Sequence, residues 1–413
     1  MTAGQPDRRS SRVLLVGYYG MDNLGDEAIR AEIERAAARL GVSIWRIATR
    51  RPVPDGRAVW LTPRGLRAYL AAIRDADRVV IGGGGILKDE GLRLPLDLAF
   101  TCLAARLLRR PVTLVGVGVG PLYTRIGRWL VRNVAASARY RSVRDEASAV
   151  LLGSMGIADV EVGADPVFAA EPPPASSSAS SSAQGGVPIR GAGPAADGLA
   201  QGGVPIRGAG PGADGLARHD RPAHRPPTML VCLRTWFHRD ADGGIARQAA
   251  LLDAIAVSLT PYASAGWRFD IVPLYHPRDI VPGRDLAARL PPGSVVKVTA
   301  VAIDWTALLD RLATVDLVLT MRFHALAAAL IEDRPAVALA YEPKVTALAV
   351  RTGTPVVPVD DPTLANALTL ALDAALQPLE PVAAARREIA VRDMRRAAEQ
   401  IVERALAGEL RGA

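Results

Sequence analysis

The chain has 413 residues, of which 49% are apolar, 22% charged and only 5% aromatic, with a formal net charge of +8. That length exceeds one comfortable hydrophobic core and implies two domains, in a globular rather than a fibrous or largely unstructured chain. The positive balance favours anionic partners, but the absence of Lys/Arg runs with interleaved aromatics argues against nucleic acid.

The N-terminal stretch MTAGQPDRRSSR is basic and leads into a strand pattern, not into the apolar region of a signal peptide. No apolar run reaches the ~18 residues of a spanning helix. The expected location is cytoplasmic, with at most peripheral contact at the inner face of the membrane. Cys102 and Cys232 lie far apart in apolar segments and form neither a disulfide framework nor a zinc motif.

From 12 to 170 short apolar runs alternate with helical patterns. RVLLVG (12–17) reads as a strand. Residues 26–41 place Ile29, Ile33, Ala36, Ala37 and Leu40 on one helical stripe that Gly41 ends. Segments 78–85, 112–120 and 158–168 read as further buried strands running into loops. This alternation predicts βαβ units and a parallel sheet covered on both faces.

Residues 171–227 interrupt the rhythm. Gly, Pro, Ser and Ala make up 38 of these 57 residues, and QGGVPIRGAGPAADGLA (184–200) recurs at 201–217 with one change, Ala195 against Gly212. Two near-identical copies without a core pattern predict a disordered linker, not a solenoid. Strand patterns resume at 228–236, 267–275, 294–300, 315–320 and 335–341. Helical patterns occupy 245–259, 323–332 and about 383–408. The expected organisation is an N-terminal α/β domain (1–170), the linker (171–227) and a C-terminal α/β domain (228–413) with a terminal helix. Both domains are expected to be doubly wound and Rossmann-like, with ligands at the carboxyl ends of the strands.

VVIGGGGILKDEG (79–91) and GVGVGPL (116–122) both fail the G-x-G-x-x-G fingerprint, and no phosphate-binding P-loop is present. Gly83 and Gly84 are candidates for a loop whose exposed N–H groups contact substrate, or for a purely structural strand exit. In the loop VGYYGMDNLGDEA (16–28), Asn23 suits a turn cap. Asp26 and Glu27 either complement the helix dipole or serve sugar hydroxyls, as ligands or as a general base.

Positive charge gathers in the second half. His238 and His276 follow strands at loop starts, and no histidine pair has metal-ligand spacing. Arg322 and His324 stand where a strand meets a helix, and Lys344 follows the next strand. Consecutive parallel strands end on the same edge, so these three should converge near a helix N-terminus and suit a doubly charged anion. A purely structural alternative pairs Arg322 with Glu332 or Asp333.

Taken in order, GYYGMDNLGDEA, VVIGGGGILKDEG, GVGVGPL, SVRDEAS, VGADPVF, MRFHALAAAL and AYEPKV resemble the polysaccharide pyruvyl transferase family, closest to its CsaB-type members. The resemblance runs from about 12 to 375, and the repeat-bearing segment departs from it. It implies two facing domains of glycosyltransferase B-type architecture. It also implies transfer of pyruvate from phosphoenolpyruvate to two hydroxyls of a cell-wall sugar, an N-acetylhexosamine of a lipid-linked precursor, without metal or organic cofactor. The polymers so modified anchor surface layers. The family's donor positions match Arg144, His324 and Lys344, with Arg322 in the same motif, and Arg234, ending a strand, is added from its place. On this basis His324, Arg322, Asp26 and Glu27 are the catalytic candidates. Arg144, Lys344, Arg234, Asn23, Gly83 and Gly84 are the binding candidates. The rival expectations are a nucleotide-sugar glycosyltransferase of the same fold and a non-catalytic sugar- or phosphate-binding protein.

Overall fold

The computed structural model describes residues 11–53, 56–170, 225–236 and 243–408. The repeat segment, its expected disorder and His238 lie outside the described residues. The chain divides into two compact units, Met1–Glu171 with Val391–Ala413, and Pro172–Ala390.

The first unit runs β1 (Arg12–Tyr19), α1 (Leu24–Arg39), β2 (Ser43–Thr49), β3 (Ala58–Val59), α2 (Leu66–Asp75), β4 (Arg78–Leu87), α3 (Arg93–Leu107), β5 (Val112–Val119), α4 (Arg125–Ser137), β6 (Ala138–Val143), α5 (Glu146–Gly153) and β7 (Glu161–Val162). The second runs β8 (Thr228–Cys232), α6 (Gly244–Ser264), β9 (Arg268–Ile271), α7 (Ile280–Ala287), β10 (Val295–Val298), α8 (Trp305–Leu312), β11 (Leu317–Thr320), α9 (Phe323–Ile331), β12 (Ala336–Ala340), α10 (Pro343–Arg351), β13 (Val356–Pro358) and α11 (Leu364–Leu376). A final helix, α12, spans Pro381–Ala407.

The strands of each sheet pair in parallel, in the order β3-β2-β1-β4-β5-β6-β7 in the first unit and β10-β9-β8-β11-β12-β13 in the second. Their central strands are buried runs of Val, Leu and Ile, as helices on both faces require. In the first unit Leu14, Val16, Val79, Ile81 and Leu114 pack under α2, α3 and α4. The other face meets α1, where Ile33 and Leu15 crowd Gly82. Strand order reverses between β1 and β4 in one sheet and between β8 and β11 in the other, and the crevice beyond such a reversal is where open α/β sheets receive ligands.

The structure departs from the sequence patterns in two places, and it divides the terminal helix. Residues 158–168 form only the two-residue β7 and then a 3-10 turn at Pro166–Ala169, because Asp165 caps Val167 N–H and Pro166 lacks a donor for a ladder. The glycines of 82–85 are not a loop but part of β4, which bulges against β5 between Gly84 and Leu87. The terminal helix, expected with the second domain or packed back across both, has its later part in the first unit. Arg387 donates to the Thr352 carbonyl in the second unit, whereas Ile401 lies over Gly163 in the first and Arg404 pairs with Glu161 at 2.6 Å.

Both cysteines are buried and unlinked. Among the described residues no helix is long and apolar enough to cross a membrane.

Candidate functional site

In the first unit the functional candidates collect at the β1/β4 reversal. Asn23 caps α1 with extended backbone and donates its side-chain amide to Asp26 Oδ2. Asp26 is buried, and its Oδ1 lies so close to β4 that a Cβ on Gly84 would stand 2.6 Å from it. Gly84 also has a φ of +77°, so a side chain there meets both backbone strain and the carboxylate. Gly83 (φ +36°) is packed on Ile29 and Pro166. These two glycines therefore bring α1 against the sheet. Glu27 turns elsewhere: Oε1 accepts the Gly20 N–H at 2.5 Å and Oε2 accepts Arg30 Nε at 2.9 Å. Tyr19, below Asp26, is fully buried with a phenol pushed far up, first by burial and then by Asp26 and Glu27.

Arg144 directly follows β6 and is buried between two carboxylates, Asp145 at 3.1 Å and Asp165 at 3.3 Å. Burial works against its charge, but the two acids outweigh it and raise the guanidinium above its ordinary value. Gly118 on β5 leaves the space this group fills, since a Cβ there would stand 2.7 Å from Nη2. Sequence reasoning missed both carboxylates, although each stood within a quoted motif.

In the second unit the edge formed by β9, β8, β11 and β12 carries the charge. Arg234, two residues past β8, donates to Glu342 Oε1 at 3.1 Å and lies over the Tyr341 ring, 4.4 Å from its centroid. Lys344, in the first turn of α10, pairs with the other oxygen of the same Glu342. Arg322 is the extended N-cap of α9 and pairs with Asp279, which also accepts Tyr275 N–H at 2.9 Å. The partners of the purely structural alternative, Glu332 and Asp333, lie at the far end of α9. Buried Arg322 Nε makes no hydrogen bond among the described residues. No side chain caps α9, whose first turn holds His324.

These groups feel one another. Burial raises the Tyr341 phenol, Arg234 and Arg322 pull it back, and Glu342 adds to the rise. Arg234 is held above its ordinary value against the cost of burial by Tyr341, Glu342 and the more distant Asp279. The structure thus brings Arg234, Arg322, His324 and Lys344 to one sheet edge. His276 sits at the β9 end and bonds the Ala300 carbonyl at 3.0 Å. Arg278 stacks over Tyr275, 4.9 Å from its centroid. Four cations, Arg234, Arg278, Arg322 and Lys344, thus face two carboxylates, Asp279 and Glu342, and the edge keeps excess positive charge beside an uncapped helix N-terminus.

The model of the polysaccharide pyruvyl transferase family matches residues 23–343. The chain belongs to that family. It is therefore a transferase, and both clusters fall inside or at the border of the matched region. No curated protein sequence matches the chain. Solved structures share its fold at low identity. S. aureus MnaA with UDP superposes with a TM-score of 0.57 at 11% identity over 95% of each chain. Anabaena HepE with UDP-glucose gives 0.57 at 12%, covering 96% of this chain and 100% of that one. The UDP-GlcNAc 2-epimerase from Neisseria meningitidis bound to UDP-GlcNAc gives 0.56 at 12% over the same shares. This pyruvyl transferase thus has a glycosyltransferase B-type fold, built from two parallel-sheet α/β units.

Proposed function

We propose that the protein transfers pyruvate from phosphoenolpyruvate to two hydroxyls of one sugar in a cell-wall polysaccharide precursor, closing a cyclic ketal and releasing phosphate. The acceptor is a lipid-linked N-acetylhexosamine unit reached at the inner membrane face. The observation that carries this reading is the cationic edge of the second unit, with a buried Arg322 donor left unbonded beside an uncapped helix N-terminus. A three-carbon donor bearing a phosphate and a carboxylate is what such an edge can hold.

In the reaction the methylene carbon of the donor gains a proton and becomes the ketal methyl group. The neighbouring carbon forms bonds to two sugar oxygens, each of which loses its proton, while its bond to the phosphate oxygen breaks. Arg322, Lys344 and Arg234 hold the anionic groups and stabilise the charge that gathers on the departing phosphate. His324 gives that phosphate its proton, a task suited to an imidazole. Asp26 takes a proton from an acceptor hydroxyl, Asn23 orients it, and Glu27 stays with Gly20 and Arg30. Arg144 can offer its charge only on the side of Asp145, whose side chain is 27% exposed, because Asp165 is fully enclosed.

Phosphate release from phosphoenolpyruvate, measured with a lipid-linked amino-sugar acceptor and with UDP-sugars as competing donors, tests the reading. Acceptor-dependent phosphate release is expected. UDP release in its place makes the protein a nucleotide-sugar glycosyltransferase, and neither product makes it a binding protein.

A further inference from the structure

The outer surface of the first unit carries an apolar stripe that is exposed among the described residues. Helix α3 exposes Leu96, Phe100, Leu103 and Leu107, the last two at 56% and 74%. At 100° per residue these four positions fall within roughly 60° of arc along a helix about 22 Å long. The opposite side, Leu98, Cys102 and Ala105, is the one buried against the sheet. Helix α4 packs beside α3 and adds Ile126 and Trp129, the latter 62% exposed, with Tyr123 just before its cap. Scattered exposed apolar residues need no account, but a contiguous stripe across two neighbouring helices marks an interaction surface.

The charge around the stripe says what covers it. Residues 98–144 contain nine arginines and not one Asp or Glu. Arg106, Arg109, Arg125, Arg128 and Arg132 are exposed on or beside the two helices. The single carboxylate of α3, Asp97, is faced by Arg93 at 3.8 Å. A second copy of the chain would set arginine against arginine. An anionic bilayer, by contrast, receives the apolar side chains below its headgroups and the guanidinium groups among them, with the amphipathic rings of Trp and Tyr at the boundary.

We infer that the α3–α4 face docks the protein onto an anionic lipid surface. The inference builds on the membrane-borne acceptor proposed above. The N-terminal ends of α3 and α4 lie at the carboxyl edge of the sheet, the edge that also carries Asn23, Asp26 and Arg144. Asp89 ties the two helix entries together by accepting the backbone N–H groups of Tyr123 and Thr124 at 2.6 and 2.7 Å. Docking by this face leaves the carboxyl edge of the sheet beside the membrane boundary, with Asn23 and Asp26 of α1 at that edge on the side of the sheet away from the lipid.

Co-sedimentation of the full chain with vesicles tests this, with neither donor nor acceptor present. Binding to phosphatidylglycerol–phosphatidylcholine vesicles is expected, with little binding to phosphatidylcholine alone and release by raised salt. Leu103→Glu combined with Leu107→Glu should weaken binding about 10-fold or more without moving the melting temperature, since both side chains lie outside the core. Trp129→Ser should weaken it less. Equal vesicle binding by the leucine variant overturns the inference, as does no binding by the unaltered protein. Self-association lost in the leucine variant, without vesicle binding, assigns the face to a second copy and likewise overturns it. Phosphate release with a soluble acceptor fragment reads the proposed reaction separately, so failure of one claim is not mistaken for failure of the other.

Discussion

Arg322 and Asp279, 43 residues apart in sequence, form a part-buried ion pair at the carboxyl edge of the second sheet. The Asp279 side chain is 1% exposed, so it depends on Arg322 as much as it orients it. Arg322→Ala should therefore show two effects. Loss of charge-assisted bonds worth ~1.5–3 kcal/mol weakens phosphoenolpyruvate binding roughly 10- to 150-fold. The stranded carboxylate also lowers the melting temperature by several degrees. Asp279→Asn should keep most of the stability while loosening donor binding. Calorimetry and thermal melts on both variants separate the two effects, and unchanged donor affinity in Arg322→Ala would remove the anion site.

Lys344→Ala removes a cation that shares Glu342 with Arg234. The side chain is partly exposed, so the fold should be nearly unaffected while donor affinity falls by the same roughly 10- to 150-fold. Calorimetric affinity at low and high salt checks this. A loss that persists at high salt marks direct contact and not long-range attraction.

His324→Asn keeps a hydrogen-bond donor of similar size but removes proton transfer. Turnover should fall ~10²–10⁴-fold with little change in donor affinity. Near-normal turnover with a raised Michaelis constant would reassign His324 to binding and move the search for the acid to Asp26.

Gly84→Ala places a Cβ 2.6 Å from Asp26 Oδ1 at a φ of +77°. The strain should cost about 1–3 kcal/mol and push Asp26 off the sheet edge, so activity should fall more than stability does. Parallel melting curves and phosphate-release rates measure the split. A neutral alanine would show that Asp26 has room to move.

Asp89 supplies the pH dependence. Burial would push its carboxyl up, but the N–H groups of Tyr123 and Thr124 and the Thr124 hydroxyl outweigh that and hold it below the usual range. With its folded value below the unfolded one, its stabilising contribution is complete above the unfolded value and fades as pH falls through the lowered folded value. Asp89→Asn should lower the unfolding free energy from urea titration at neutral pH by roughly 1–3 kcal/mol, and the gap from the unaltered protein should close in acid. A gap that is constant with pH would contradict this account.

Much of this protein was legible in its sequence because local patterns carry the information. Runs such as VVIGG and LVLT are apolar on both faces, which only a parallel sheet under two helical layers satisfies. Consecutive parallel strands must end on one edge, which is enough to bring Arg322, His324 and Lys344 together. What the sequence could not determine depends on strand order and on contacts between distant segments. Nothing local says that Arg322 meets Asp279 across the β8/β11 reversal, or that Arg144 is enclosed by Asp145 and Asp165. Glycines 83 and 84 read as a substrate-contacting loop or a structural strand exit because glycine permits many conformations. Only the close approach of Asp26 and Ile29 reveals that they are buried strand residues that make room for α1. The apolar stripe of α3 likewise looks like core in the sequence, since Leu and Phe favour burial wherever they stand. Its exposure follows from the sheet being covered already by the other side of the same helix, a matter of packing that no single segment contains.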